Sequence, residues 1–340
     1  MRVTFIVGTG RCGSTMLSDA LRLHPEVLSL SEFFAGLSPF GFPTAPLDGA
    51  EFWRILATPR PKPNTMIQRG APVPEFLYPA DGRFRPGEIP AISFVTLPHL
   101  SAEPDLLYDE LADTVPRWPL DEPAAQYRRL FRWLMERLDK RIVVERSGGS
   151  LPFVQQRRAL VPDARFLHLH RNGPDAAMSM SRHASFRLAM VLSDIIELTG
   201  ADPYHVPFDQ YADRLPTDLR PFLPDQLQVQ ALWERDIPLA KFGQLWSRQI
   251  IYGVAKLNRL PTASRRSMSY EEILAEPVPR LTELAEFIGA SVDDSWLKRA
   301  AAAIDPTRPR GARAISETDL AVLEQACGPG NRALRRPSPV

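Results

Sequence analysis

The sequence predicts an α/β fold: a parallel sheet of the P-loop type, flanked by helices. Two observations carry that expectation. The chain opens with a short apolar run, residues 3–7, that leads into a glycine-rich turn and then into a helical pattern. Further short runs of strand character recur at 26–30, 141–145, 164–170 and 266–270, with helical patterns after several of them. Strands alternating with helices give βαβ units, which force parallel pairing and right-handed crossovers.

The elements follow in order. Residues 3–7 (VTFIV) stop at glycines and read as a buried strand. Residues 14–23 are helical, with Leu17, Ala20, Leu21 and His24 on one face, and 26–30 form the second strand. "RIVVE" (141–145) and "ARFLHLH" (164–170) are the third and fourth. Pro174 then suits the first turn of a helix carrying 176–190. "RSMSY" (266–270) is a fifth strand, followed by a helix near 278–288 with Leu281, Leu284, Ala285 and Ile288 on one face. Ser316 caps a last helix that runs to Cys327 and is stopped by Gly328. The expected organisation is one domain over 1–330 with a flexible tail at 331–340.

A long insert at about 33–125 separates the first unit from the third strand. The chain holds 34 prolines in 340 residues, against a usual ~5%. Runs such as "FPTAPL", "PRPKPNT" and "APVPEFLYPADGRFRPGEIP" are poor helix and poor central strand. Phe33, Phe34, Phe40, Phe42, Phe52 and Trp53 argue that the insert packs, and a long ordered loop in a compact domain is usually a lid or binding loop. Residues 195–260 are mixed and mostly helical after Pro224, and no internal repeat is visible.

Composition narrows the function classes. With 44% hydrophobic and 24% charged residues the chain is ordinary globular protein. Forty-one basic against forty acidic residues leave a net charge of +1, so no overall field draws nucleic acid or an anionic membrane. Any anion site must be local. Cys12 and Cys327 make no disulfide framework and suit a reducing compartment. No signal peptide is visible, and no stretch approaches the roughly 20 apolar residues that span a bilayer. The expectation is a soluble cytoplasmic protein without stable membrane insertion.

"FIVGTGRCGSTMLS" (5–18) carries the strongest motif. Gly8 and Gly13 have the G-x-x-x-x-G spacing of a phosphate loop, but Ser14 and Thr15 stand where a Lys-Ser/Thr pair is expected. The only cation is Arg11, inside the loop. Backbone N–H groups of residues 10–15 can cradle an anion at the positive end of the following helix. Ligands in open α/β sheets bind beyond the carboxyl ends of the strands. There the sequence places Ser31 and Glu32 after the second strand, Arg146 and Ser147 after the third, and Arg171 after the fourth.

"GTGRCGST" resembles the 5′-phosphosulfate loop of sulfotransferases that use 3′-phosphoadenosine 5′-phosphosulfate (PAPS), in which the cation sits inside the loop. "RNGPDAAMS" (171–179) is similar to that family's 3′-phosphate segment. "PDARFLHLHR" and "SYEEILAEPVPRLTELAEFIGA" are similar to its neighbouring strand and late strand–helix stretch, and "RPRGAR" (308–313) to its basic C-terminal loop. The resemblance covers about 1–35, 141–183 and 266–290. It implies PAPS as co-substrate, with no metal. Gly10, Arg11, Cys12, Gly13, Ser14 and Thr15 would hold the phosphosulfate. Arg171 and Ser179 would hold the 3′-phosphate, joined by Arg310 and Gly311. Arg11 would neutralise charge on the leaving group.

Sulfuryl transfer to a hydroxyl also needs a base. Cytosolic small-molecule members have a histidine two residues after a lysine past the third strand. In "ERSGG" Arg146 takes the lysine position and Gly148 the histidine position. Other branches, including Golgi carbohydrate enzymes and several bacterial ones, use a glutamate after the second strand, which is Glu32 here. Burial against Phe33 and Phe34 would raise its basicity. His99 and His183 are the fallback bases. His168 and His170 alternate with Leu167 and Leu169 and read as packed, and no cluster has metal-ligand spacing. The aromatic, proline-rich insert points to a small or lipid-like hydroxyl acceptor under a lid. The competing assignment is a magnesium-dependent P-loop kinase or NTPase with Glu145 on the metal. A third is a non-catalytic nucleotide- or sulfolipid-binding protein.

Overall fold

The computed structural model describes residues 1–305 and 315–335. Five strands form one parallel sheet: β1 Arg2–Val7, β2 Val27–Ser31, β3 Ile142–Arg146, β4 Arg165–His170 and β5 Arg265–Ser269, in the order β2-β3-β1-β4-β5. β1 is central, so the connection from β1 to β2 passes over the place that β3 fills. The expected strands are all present, shifted by a residue or so at their ends.

Strand periodicity divides the core in two. Val3, Phe5 and Val7 of β1, Leu28 and Leu30 of β2 and Phe166 of β4 belong to the larger core. Ile6, Val27, Val144, Leu167 and Leu169 belong to the smaller one, under the helices Ser14–Arg22, Pro277–Ile288 and Asp294–Ala302. Both faces of the central strands are covered, which is why β1 and β3 are mostly apolar runs, while the edge strand β5 is partly exposed. No helix of the described residues is long and apolar enough to cross a membrane.

The insert departs from the expected loop. It contains the helices Phe33–Leu37, Gly49–Ala57, Pro61–Gln68, Thr96–Leu100 and Pro104–Thr114. Pro61 and Pro104 open their helices, where the missing N–H costs nothing. Asp48 and Glu51 close a capping box at the start of Gly49–Ala57. Phe33, Phe34 and Phe52 are buried in the larger core around Tyr127 and Phe131. Much of the insert is therefore helical. Its residues 35–36 and parts of 62–95 reach the cleft.

Two helices also differ from expectation. The segment expected to be helical over 176–190 is two helices, Gly173–Ser181 and Ala184–Thr199. The break falls at Arg182-His183, where His183 Nδ1 accepts the Ser185 N–H as a cap at 3.2 Å. The last helix does not stop at Gly328 but runs Glu317–Arg335, so 331–335 are helix and not tail; residues 336–340 lie outside the described set. Ser247 of the neighbouring helix Leu239–Leu257 explains the continuation. Its Oγ donates to Ala326 O at 2.8 Å and accepts from Gly330 N at 3.2 Å. It stands between an i, i+4 carbonyl and amide just where Pro329 disturbs the ladder.

His168 of β4 is buried, and its Nε2 has no partner among the described residues. Burial pulls its pKa down to about 3, and does the same to His99. Below the ordinary value of 6.5 the unfolded chain takes up protons that the folded chain refuses until about pH 3. Stability is therefore complete above 6.5 and is lost as pH falls through that window. Replacing His168 with leucine should flatten the acid side of the Tm-against-pH curve without lowering Tm at pH 7.5. An acid limb identical to that of the parent would contradict this account.

Candidate active site

The carboxyl ends of β1, β2, β3 and β4 open on one cleft of about 650 Å³. The loop after β1 is shaped by close approaches. Gly13 has φ 90°, and a Cβ there would lie 2.1 Å from the Tyr270 ring. A Cβ at Gly10 would lie 2.1 Å from Phe186. Between them Arg11 takes a left-handed conformation, φ 64°. The result is a division of labour along the loop. Gly10, Arg11, Gly13, Ser14 and Thr15 line the cleft, while the Cys12 side chain packs into the smaller core. Burial pushes the Cys12 thiol up, as for an inert filler, and Cys12 does not line the cleft.

Arg11, Arg171 and Ser179, distant in sequence, meet here. Arg11 Nε donates to Ser179 Oγ at 3.1 Å, and Arg171 donates to Arg11 O at 3.2 Å. The Arg171 guanidinium lies 4.8 Å from the centre of the Tyr270 ring, and its Nε is buried without a partner. The Asn172 side chain caps the helix that carries Ser179, so strand end and helix start are locked in one geometry. Arg310 and Gly311 lie outside the described residues.

Glu32 stands across the cleft. It follows β2 directly, has φ 53°, and starts the short helix Phe33–Leu37. The parallel register sets Ser31 beside Arg146, the last residue of β3. Arg146 is buried and donates to Glu32 Oε1 and, at 2.8 Å, to Ser31 Oγ. The Gly148 N–H donates to Glu32 Oε2 at 3.0 Å. A Cβ at 148 would touch Glu32 Oε1 at 3.4 Å, so a larger side chain there would press on the carboxylate. Burial raises the Glu32 pKa above its ordinary 4.5, against the opposing pull of Arg146 and the Gly148 amide; Glu75 and Glu145 add to the rise.

Glu75 is the site residue that sequence patterns miss. It lies in a proline-rich stretch with no strand or helix of its own. Its carboxylate pairs with Arg11 through one oxygen and accepts from His183 Nε2 at 2.9 Å through the other. Burial works against its ionisation, but the hydrogen bond and charge of His183 and the Arg11 guanidinium outweigh it and hold the pKa at about 2. Tyr270, Lys62 and Arg182 also line the cleft. Only Tyr270 had a signal, as the end of the fifth apolar run.

The two fallback bases are placed differently. His183 lines the cleft, but Nδ1 accepts the Ser185 N–H and Nε2 donates to Glu75, so both nitrogens are committed. His99 lies behind β2, 3.4 Å from Ser18 Oγ and 3.3 Å from Ser29 Oγ, and does not line the cleft. Glu145, the carboxylate a magnesium site would require, is fully buried under the cleft. It accepts from Phe34 N at 3.3 Å, from Arg157 Nε at 3.4 Å and from Ser147 Oγ. Its side chain faces the core and not the ligand. Among the described residues no group of three or more His, Cys, Asp or Glu is placed to hold a metal ion.

The arrangement offers amides and two arginines for an anion, with a buried, oriented carboxylate opposite them. No protein-family model matches the chain, and no curated protein does. Among solved structures it is similar to the sulfotransferase domain of the Synechococcus PCC 7002 olefin synthase, at 15% identity over 96% of this chain and 94% of that one, with a TM-score of 0.46. It is also similar to the sulfotransferase domain from the curacin biosynthetic pathway, at 14% identity over 100% and 99% of the two chains and a TM-score of 0.48. A sulfotransferase of Mycobacterium avium aligns at 15% identity over 96% of this chain and 75% of that one, with a TM-score of 0.46.

Proposed function

We propose that this protein is a sulfotransferase that moves the sulfuryl group of PAPS to a hydroxyl of a small or lipid-like acceptor. The observation that carries the reading is the meeting of Arg11, Arg171 and Ser179 in one cleft, with Glu32 facing them. The fit to a nucleotide with two anionic groups is specific. Loop amides and Arg11 make one anion site, and Arg171, whose Nε has no partner among the described residues, makes a second beside it. An ATP-type site has no need of the second.

In the proposed reaction PAPS supplies an activated sulfuryl group, and the protein positions and neutralises. Glu32 takes the proton of the acceptor hydroxyl as its oxygen bonds to sulfur and the bond from sulfur to the nucleotide's phosphate oxygen breaks. Arg146 and the Gly148 amide hold the carboxylate in one orientation for that transfer. Arg11 compensates the charge that returns to the nucleotide; a guanidinium stays protonated, so its part is electrostatic. Glu75 and Ser179 fix where that guanidinium points. Ala35, Met66, Val73 and Val95 line the remaining cleft and suit an acceptor with apolar surface.

Two outcomes are expected of nucleotide binding. Adenosine 3′,5′-bisphosphate should raise Tm without magnesium, with ATP much weaker. Arg171→Ala should weaken the bisphosphate on the order of 10–100-fold, the value of a charge-assisted contact, and leave adenosine 5′-phosphosulfate nearly unaffected. A stronger effect of ATP with magnesium would favour the kinase assignment.

Glu32→Gln should keep nucleotide binding by calorimetry and lower kcat by roughly 10²–10⁴-fold. Full turnover in that variant would remove Glu32 as the base. A carboxylate base works only when ionised, so kcat should fall as pH drops through a pKa displaced above 4.5. A profile flat down to pH 4 would contradict the buried base.

A further inference from the structure

Two cations of the cleft, Lys62 and Arg182, are not employed by the proposed donor site; Arg182 is exposed, whereas Lys62 is half-buried. Lys62 lies in the first turn of the helix Pro61–Gln68 and lines the cleft with Met66, one turn further along the same face. The order of contacts runs outward from the phosphate loop. Phe186 covers Gly10, the adjacent Ser185 touches Met66 with Oγ 3.7 Å from the sulfur, and Lys62 lies a helical turn, about 6 Å, beyond Met66. Around this route the cleft wall is apolar: Ala35, Pro63, Met66, Val73 and Val95.

Lys62 has no bonded counter-ion among the described residues. The acidic group whose field it feels is Asp202. That carboxylate is spent elsewhere: one oxygen accepts from Tyr204 N at 3.0 Å and the other is 3.0 Å from His205 Nδ1. Lys62 is half-buried, and partial burial lowers its pKa, as expected of an ammonium partly withdrawn from water without a bonded counter-ion. Such a charge is costly unless a ligand brings the opposite one. On the proposed reading the anions of the donor would meet Arg11, Arg171 and the loop amides, which leaves Lys62 without a donor group to bind.

We propose that Lys62 binds an anionic group on the acceptor, so that the acceptor is a hydroxy acid with an apolar body: its hydroxyl at Glu32, its carboxylate at Lys62, and hydrocarbon between. This rests on the sulfuryl-transfer reading and narrows its substrate class. Lys62 is then a specificity-determining residue and takes no part in the chemistry.

The test compares ω-hydroxy fatty acids of six to sixteen carbons with their methyl esters, in the full chain with PAPS. The parent protein should prefer the best acid over its ester at least tenfold in kcat/KM. Lys62→Met should erase that preference by raising KM for the acid alone, leaving the ester within about threefold. Lys62→Glu should shift preference to the matching ω-hydroxy alkylamine, a gain that a damaged fold would not produce. Binding is read separately, as the Tm shift given by each acid and ester without nucleotide. Equal shifts from acids and esters in the parent protein would overturn the proposal. So would a Lys62→Met variant that loses acid and ester alike, or one that loses adenosine 3′,5′-bisphosphate, which would assign Lys62 to the donor. If the nucleotide does not bind at all, the sulfotransferase reading fails, while the acid-against-ester shifts still decide whether Lys62 is an anion contact.

Discussion

The parallel pairing of β3 with both β1 and β2 is the constraint on which the cleft depends. It brings Arg146 level with Ser31 and leaves Glu32 to turn across the end of the sheet. Once that register is set, the Arg146 guanidinium reaches both the Glu32 carboxylate and the Ser31 hydroxyl, and the Glu32 N–H closes on Arg146 O at 2.6 Å. A slip of one residue would send Arg146 to the opposite face, into the larger core. The apolar pattern on both faces of the strands is what prevents the slip.

Three arginine–glutamate pairs lie in or under the cleft: Arg146–Glu32, Arg11–Glu75 and Arg157–Glu145. Buried pairs return little net stability, because desolvation consumes much of the attraction. Their value here is orientation. Arg157–Glu145 sits lowest, with Arg157 over the rings of Phe34 and Phe42, and ties the end of β3 to the insert. Arg146–Glu32 aims a carboxylate, and Arg11–Glu75 aims a cation. Each functional group thus arrives with a partner that limits its rotamers before any ligand enters.

The backbone tells the same story. Arg11 and Glu32 are two of the three non-glycine residues with positive φ among the described residues. The left-handed region costs an ordinary residue of order 1 kcal/mol or more, and it persists where surrounding structure enforces it. Gly13 against Tyr270 enforces it at the loop, and the hydrogen bonds to Arg146 and Gly148 enforce it at Glu32. Both residues are thereby turned away from the path of their strands and into the cleft.

Local order was legible in the sequence wherever one segment carried its own reason. The strands, the glycine turn, the helix after it and the gathering of Arg11, Arg171 and Glu32 at one sheet edge follow from periodicity and from the rule that parallel strands end together. The insert misled because prolines were read as breakers, whereas Pro61 and Pro104 start helices. The last helix misled because Ser247, some 80 residues away in sequence, repairs the ladder around Pro329. Glu75 and Lys62 carried no motif, since a carboxylate or an ammonium acquires meaning only from what stands opposite. The sequence by itself determined which strands end in polar groups. Tertiary structure alone decided which charges are paired with one another, because pairing depends on distances across elements that no local pattern encodes.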